Sequence, residues 1–133
     1  MDDLNCSGEV VNQTLREIAF INKTLGGNHV TIRGLEKLLE GRKGPFTIAD
    51  LGCGGGEMLQ IIDKWGQKNN VALRLLGFDA NPHIISYTRK MITQHNIQFI
   101  TEDVSEAIFF KRNFDIITAT VFLHNLPSKQ LSA

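Results

Sequence analysis

The sequence predicts an α/β fold built on an open parallel sheet, and three observations carry that reading. An apolar run, Phe46-Thr47-Ile48-Ala49, leads into Asp50-Leu51-Gly52-Cys53-Gly54-Gly55-Gly56 and then into the amphipathic segment Glu57-Met58-Leu59-Gln60-Ile61-Ile62. That order is strand, glycine turn, helix. Beyond it, short apolar runs keep alternating with helical patterns, and Gly44-Pro45 separates this region from a different pattern before it. Strands that alternate with helices imply a parallel sheet covered on both faces.

The elements follow in order. Ser7 caps a first helix that runs to about Leu25, with Val10, Val11, Leu15, Ile18, Ile21 and Leu25 as its apolar stripe and Gly26-Gly27 as its end. Thr31 caps a second, shorter helix containing Ile32, Leu35, Leu38 and Leu39, closed by Gly41. The first strand spans Thr47 to Leu51. A helix from Glu57 to about Lys68 turns Leu59, Ile61, Ile62 and Trp65 mostly inward. The second strand spans Ala72 to Phe78 and ends at Asp79. Asn81-Pro82 places a capping side chain before proline at the first helical position, so a helix runs from there to about Gln94. Ile97 to Thr101 is the third strand, Val104 to Phe109 reads as a short helix, and Phe114 to Val121 is the fourth strand. Pro127 opens a further helix.

At 133 residues the chain reads as one domain over 1–133, with helices to residue 44 and the sheet from residue 45. Hydrophobic content of 42% and charged content of 21% are those of an ordinary globular protein. Net charge is zero, so no global field draws the chain to nucleic acid or to an anionic membrane. Cys6 and Cys53 do not make a disulfide framework. An acidic start, Met1-Asp2-Asp3, with no apolar stretch behind it reads as no signal peptide, and no run approaches membrane-spanning length. The expected compartment is the reducing cytoplasm.

The glycine loop is the candidate site. Glycines let the chain turn sharply and let a ligand approach the backbone, and a helix start offers N–H groups and partial positive charge. The dinucleotide fingerprint wants Gly-x-Gly-x-x-Gly, whereas this chain has Gly52, Gly54 and Gly56, with Glu57 where the last glycine would fall. Asp50, two positions before the first glycine, suits a ligand that carries an ammonium and a carboxylate better than a pyrophosphate. Asp79 ends the second strand roughly 20–25 residues past the loop, the spacing of a carboxylate that accepts from ribose hydroxyls. Its alternative role is a loop or helix-start carboxylate beside Asn81-Pro82. Asp103 follows the third strand, as an acceptor for an adenine amino group or as a helix N-cap. Beyond the fourth strand, Thr120, Phe122, His124 and Asn125 fall where open parallel sheets bind ligands. His124 has two readings, a base or a residue bonding loop backbone, and no partner selects between them. His29, His83, His95 and His124 are scattered, no Cys/His cluster has metal-ligand spacing, and no serine sits in a nucleophile elbow.

Together these residues resemble the class I methyltransferases that use S-adenosylmethionine (SAM), a Rossmann-like family. Asp50 to Gly56 matches the family's acidic-x-Gly-x-Gly-x-Gly motif, Asp79 its acidic residue ending strand two, Asp103 its acidic residue after strand three, and Phe114 to Pro127 its fourth-strand segment. The opening helix, with Ile21-Asn22 and Leu25-Gly26-Gly27, is similar to those of methyltransferases of quinone- or polyketide-like small molecules. The resemblance implies SAM as cofactor and a small-molecule methyl acceptor. It implies that Asp50 with the backbone of Gly52, Cys53 and Gly54 holds the methionine end, with Gly56 closing the loop. Asp79 then meets the ribose, Asp103 and Val104 the adenine, and Ala80 and Thr120 line the site. It also implies the order 3-2-1-4 for the four predicted strands. The family sheet has seven strands, so the C-terminal half would be missing and strand four would be an exposed edge open to self-association. Two rivals stand beside this reading: a truncated, non-catalytic module that binds SAM or its demethylated product, and a dinucleotide oxidoreductase, against which Asp50 and Glu57 argue.

Overall fold

The computed structural model describes residues 18–23, 27–103 and 113–119. They form β1 (Ala19–Asn22), α1 (Gly27–Leu38), β2 (Phe46–Leu51), α2 (Glu57–Lys68), β3 (Leu73–Asp79), α3 (Pro82–Met91), β4 (Ile97–Thr101) and β5 (Ile116–Ala119). All five strands run parallel in one sheet of order β1-β5-β2-β3-β4. The four strands expected from the sequence are therefore present in the expected order. The fifth, β1, is a correction.

Ala19–Asn22 was expected inside a helix; it is a strand that pairs in parallel with β5, Ile21 beside Thr118 and Asn22 beside Ala119. The segment Ile18-Ala19-Phe20-Ile21 is apolar on both sides, as a strand buried on both faces requires. Ile18 and Phe20 pack in one apolar cluster and Ala19 and Ile21 in the other. β1 also covers the edge of β5, so strand four is not the exposed edge that the four-strand order implied.

α1 begins at Gly27, four residues before the expected cap; Thr31 lies inside it and is fully buried. α2 matches its expected bounds. α3 starts as expected, with the Asn81 side chain accepting from His83 N–H at 2.9 Å and Ile84 N–H at 3.4 Å. It ends at Met91, short of Gln94, because Ile92 takes an extended conformation. The helices expected at 104–109 and from Pro127 lie outside the described residues.

The two strand faces carry separate clusters. Phe46, Ile48, Leu73, Leu75, Ile97, Phe99 and Ile116 meet Leu35, Leu59, Ile62 and Ile85 from the helices. The opposite face carries Ala49, Phe78, Phe114 and Ile117, with the Phe78 and Phe114 rings edge to face at 5.9 Å. Among the described residues all three helices pack on the first face. Gly77 shows how closely: a Cβ there would lie 2.8 Å from Leu59 Cδ1 and from Phe99 Cδ1. Side chains alternate faces along a strand, so Asp50 and Thr118, in register with each other, lie on the helix-covered face with Ile48 and Ile116.

Candidate functional site

The carboxyl ends of β2 and β3 bring Asp50, the loop Gly52–Gly56, Asp79 and Ala80 together. Gly52, Gly54 and Gly56 have φ of 72°, 53° and 80°, the left-handed region that favours glycine. Gly56 is also a packing point. A Cβ on it would come within 2.6 Å of Ile92 Cδ1 and 3.1 Å of Phe99 Cζ. Gly52, Gly54 and Gly55 differ, because a Cβ on any of them would meet nothing within 4 Å. The loop is thus pinned to the core at one end and open along its middle.

Its amides are mostly used within the fold. Gly52 and Cys53 N–H both donate to the Phe78 carbonyl, at 2.7 and 3.0 Å, and Gly56 N–H donates to the Cys53 carbonyl. Gly54 N–H donates to Asp79 Oδ2 at 3.1 Å, and the buried Thr88 hydroxyl donates to the Gly54 carbonyl at 3.1 Å. The sequence suggested loop amides free for an anion; in the structure those of Gly52, Cys53 and Gly54 hold the turn instead. Asp79 Oδ1 accepts from Asn81 N–H at 3.0 Å. Its carboxylate therefore fastens the glycine loop to the start of α3, and stays partly exposed.

Asp50 is fully buried. Its Oδ1 accepts from the Thr118 hydroxyl at 2.8 Å and pairs with Lys23 Nζ at 2.6 Å. Its Oδ2 is buried with no hydrogen-bond partner among the described residues. Burial pushes the Asp50 carboxyl above the ordinary 3.8, against the opposing charge of Lys23 and the hydrogen bonds from Lys23 and Thr118. Cys53 is buried beside these acids. Burial first, then the charges of Asp50 and Asp79, push its thiol up to about 12. It is a packing residue, not a nucleophile.

Asp103 is exposed, just past the end of β4. Val104, Thr120 and His124 lie outside the described residues. Three residues of the site escaped the sequence reading. Lys23 was hidden by the helix assigned around it. Thr118 and Thr88 fall inside the predicted fourth strand and the helix from Asn81-Pro82, with no role assigned to either. A polar residue in an otherwise apolar strand, Thr118 in Ile116-Ile117-Thr118-Ala119, was the available signal. Among the described residues no group of three or more metal-binding side chains occurs, and no helix is long and apolar enough to cross a membrane.

A sheet of this order with an acidic residue and a glycine loop at its switch point has a direct counterpart among known families. Residues 48–133, more than half of the chain, match the methyltransferase domain family. The chain belongs to that family. Among curated proteins there is no significant match. A solved structure from Plasmodium falciparum is described as a protein-L-isoaspartate O-methyltransferase in complex with S-adenosyl-L-homocysteine. It is 16% identical with a TM-score of 0.54, and the match covers 91% of this chain and 66% of that one. The YcgJ protein of Bacillus subtilis is 18% identical with a TM-score of 0.43, over 68% of this chain and 37% of that one. A Haloferax volcanii methyltransferase in complex with the Trm112 activator is 20% identical with a TM-score of 0.38, over 53% and 34%. The Plasmodium structure shares the fold, and this methyltransferase domain spans 34% to 66% of the length of the three.

Proposed function

We propose that this methyltransferase domain binds SAM across the carboxyl ends of β2 and β3 and transfers its methyl group to a small-molecule acceptor. One observation carries the cofactor reading: a buried carboxylate with an unpartnered oxygen, Asp50 Oδ2, stands at the root of a glycine loop whose middle is open. An ammonium group is the natural complement of that oxygen, since an unmet buried acceptor is costly. Asp79, partly exposed at the next strand end, fits ribose hydroxyls while its two N–H contacts hold it in place. Asp103 lies exposed one strand further along, and its role as adenine acceptor rests on the sequence resemblance. Ala80 adjoins the ribose contact, and Val104 and Thr120 complete the proposed lining.

SAM supplies an activated methyl group on a sulfonium and leaves as a neutral thioether. The protein's own work is then binding and orientation, and a dedicated base is needed only for a protonated nucleophile. The small-molecule acceptor rests on the sequence resemblance of the opening segment. Calorimetric titration of the chain with S-adenosylhomocysteine tests the cofactor reading. Saturable binding near one site per chain is expected, and a folded chain that binds none would refute it. Transfer of labelled methyl from SAM into a small-molecule extract, and not into protein, tests the acceptor class.

A further inference from the structure

Lys23 lies outside the residues matched by the family, immediately after Asn22, the last residue of β1. β5 separates β1 from β2, with Ile21, Thr118 and Asp50 side by side across the three strands. Lys23 stands one residue past the end of β1, two beyond Ile21. From there it reaches past the end of β5 to Asp50 Oδ1, with its side chain only 13% exposed. The pair leaves Asp50 Oδ2 buried and unpartnered. A desolvated ammonium with one carboxylate oxygen as its partner among the described residues has further N–H donors to satisfy.

We propose that Lys23 reads the carboxylate of the cofactor's amino-acid end while Asp50 Oδ2 takes its ammonium. This rests on the SAM reading and names the residue that makes the site selective for an intact α-amino acid. The chemistry is balanced. A zwitterion brings one positive and one negative group to one negative and one positive group, so the filled site stays neutral. Each buried charge then has an opposite neighbour, which the pair alone does not give the second oxygen of Asp50. A ligand that keeps the ammonium but lacks the carboxylate would satisfy Asp50 and leave Lys23 unread.

The test compares S-adenosylhomocysteine with its decarboxylated analogue on the wild-type chain, Lys23→Met and Lys23→Arg. The wild type is expected to prefer the intact ligand by about 10- to 100-fold, the range of a hydrogen bond to a charged group. Lys23→Met should erase that preference, and Lys23→Arg should restore most of it. Binding of the decarboxylated ligand reports that the variant is folded. Unchanged or tighter binding of S-adenosylhomocysteine by Lys23→Met would overturn the proposal, the tighter case marking Lys23 as a competitor for Asp50. Equal loss of both ligands would also overturn it, by making Lys23 structural. A wild type that binds S-adenosylhomocysteine with no preference sinks this inference alone. A wild type that binds neither ligand sinks the SAM reading and this one with it.

Discussion

The Thr88 hydroxyl donates to the Gly54 carbonyl at 3.1 Å across 34 positions of sequence, tying α3 to the middle of the glycine loop. Thr88 is 1% exposed, so its hydroxyl depends on this acceptor. Thr88→Val keeps the shape and takes the hydroxyl donor from the Gly54 carbonyl, leaving it the weak Cys53 thiol contact. The expected cost is about 0.5–1.5 kcal/mol, read as a lower urea midpoint with an unchanged slope, and S-adenosylhomocysteine affinity should fall with it. An unshifted midpoint would mean the loop does not depend on this tie.

Asp79 carries two duties, and its variants should separate them. It accepts from Gly54 N–H and Asn81 N–H, so Asp79→Ala leaves both amides without their partner. Stability should drop by about 1–3 kcal/mol, and S-adenosylhomocysteine binding should weaken by about 1.5–3 kcal/mol. Asp79→Asn retains one acceptor oxygen and should recover part of the stability. If it also binds the ligand as the wild type does, Asp79 is a structural clasp with no ribose contact.

Gly54 and Gly56 share a left-handed backbone and differ in surroundings, which gives opposite expectations for alanine. At Gly56 the new Cβ would press on Ile92 and Phe99. Overpacking of that kind costs about 1–3 kcal/mol, on top of backbone strain. At Gly54 the Cβ meets nothing within 4 Å, leaving chiefly the left-handed cost of about 1–2 kcal/mol. Gly56→Ala should therefore have the lower urea midpoint. Gly54→Ala should lose more ligand affinity at equal stability, because its methyl projects into the open loop. The reverse ranking in titration would place the ligand elsewhere.

The legibility of this chain follows the strength of its local signals. α2 and β4 match their expected bounds because each pairs one clear periodicity with a clear boundary, Gly56 for α2 and the turn at His95-Asn96 for β4. The acidic residues at two strand ends were legible too, since parallel topology alone brings Asp50 and Asp79 to one edge. β1 was not. Ile18 and Ile21 fit a helical stripe as well as a two-sided strand, and short apolar runs do not separate the two by period. Only pairing with β5, almost a hundred positions on, decides it. With β1 misread, Lys23 could not be placed beside Asp50, because no local pattern encodes a contact made across two strand spacings.

Cys53 should be a silent thiol. Its pKa of about 12 leaves about one molecule in ten thousand as thiolate at pH 8. In a Cys6→Ser background, iodoacetamide at pH 8 should label the native chain far more slowly than the urea-unfolded chain. Rapid labelling of the folded protein would show that the loop opens often enough to expose the sulfur.

Asp50 gives the pH dependence a definite sign. Burial raises its carboxyl above 3.8, so the folded chain holds this proton more tightly than the unfolded chain does. Its contribution to stability is therefore fullest at or below pH 3.8 and is lost as the pH rises from there through the folded value. Asp50→Asn resembles the protonated form and removes the titration. It also leaves Lys23 without its partner carboxylate, a cost that does not change over this acid range because the lysine stays charged. Melting curves of wild type and Asp50→Asn, compared from pH 7 down to about 4, should show the difference moving in favour of the wild type as the pH falls. Ligand binding should move the other way. Protonation removes the anionic partner of the cofactor's ammonium, so wild-type affinity for S-adenosylhomocysteine should weaken as Asp50 takes its proton. A melting difference that stays constant across the range would mean that Asp50 does not titrate there. Affinity that stays constant while the melting difference moves would take Asp50 out of the ligand site.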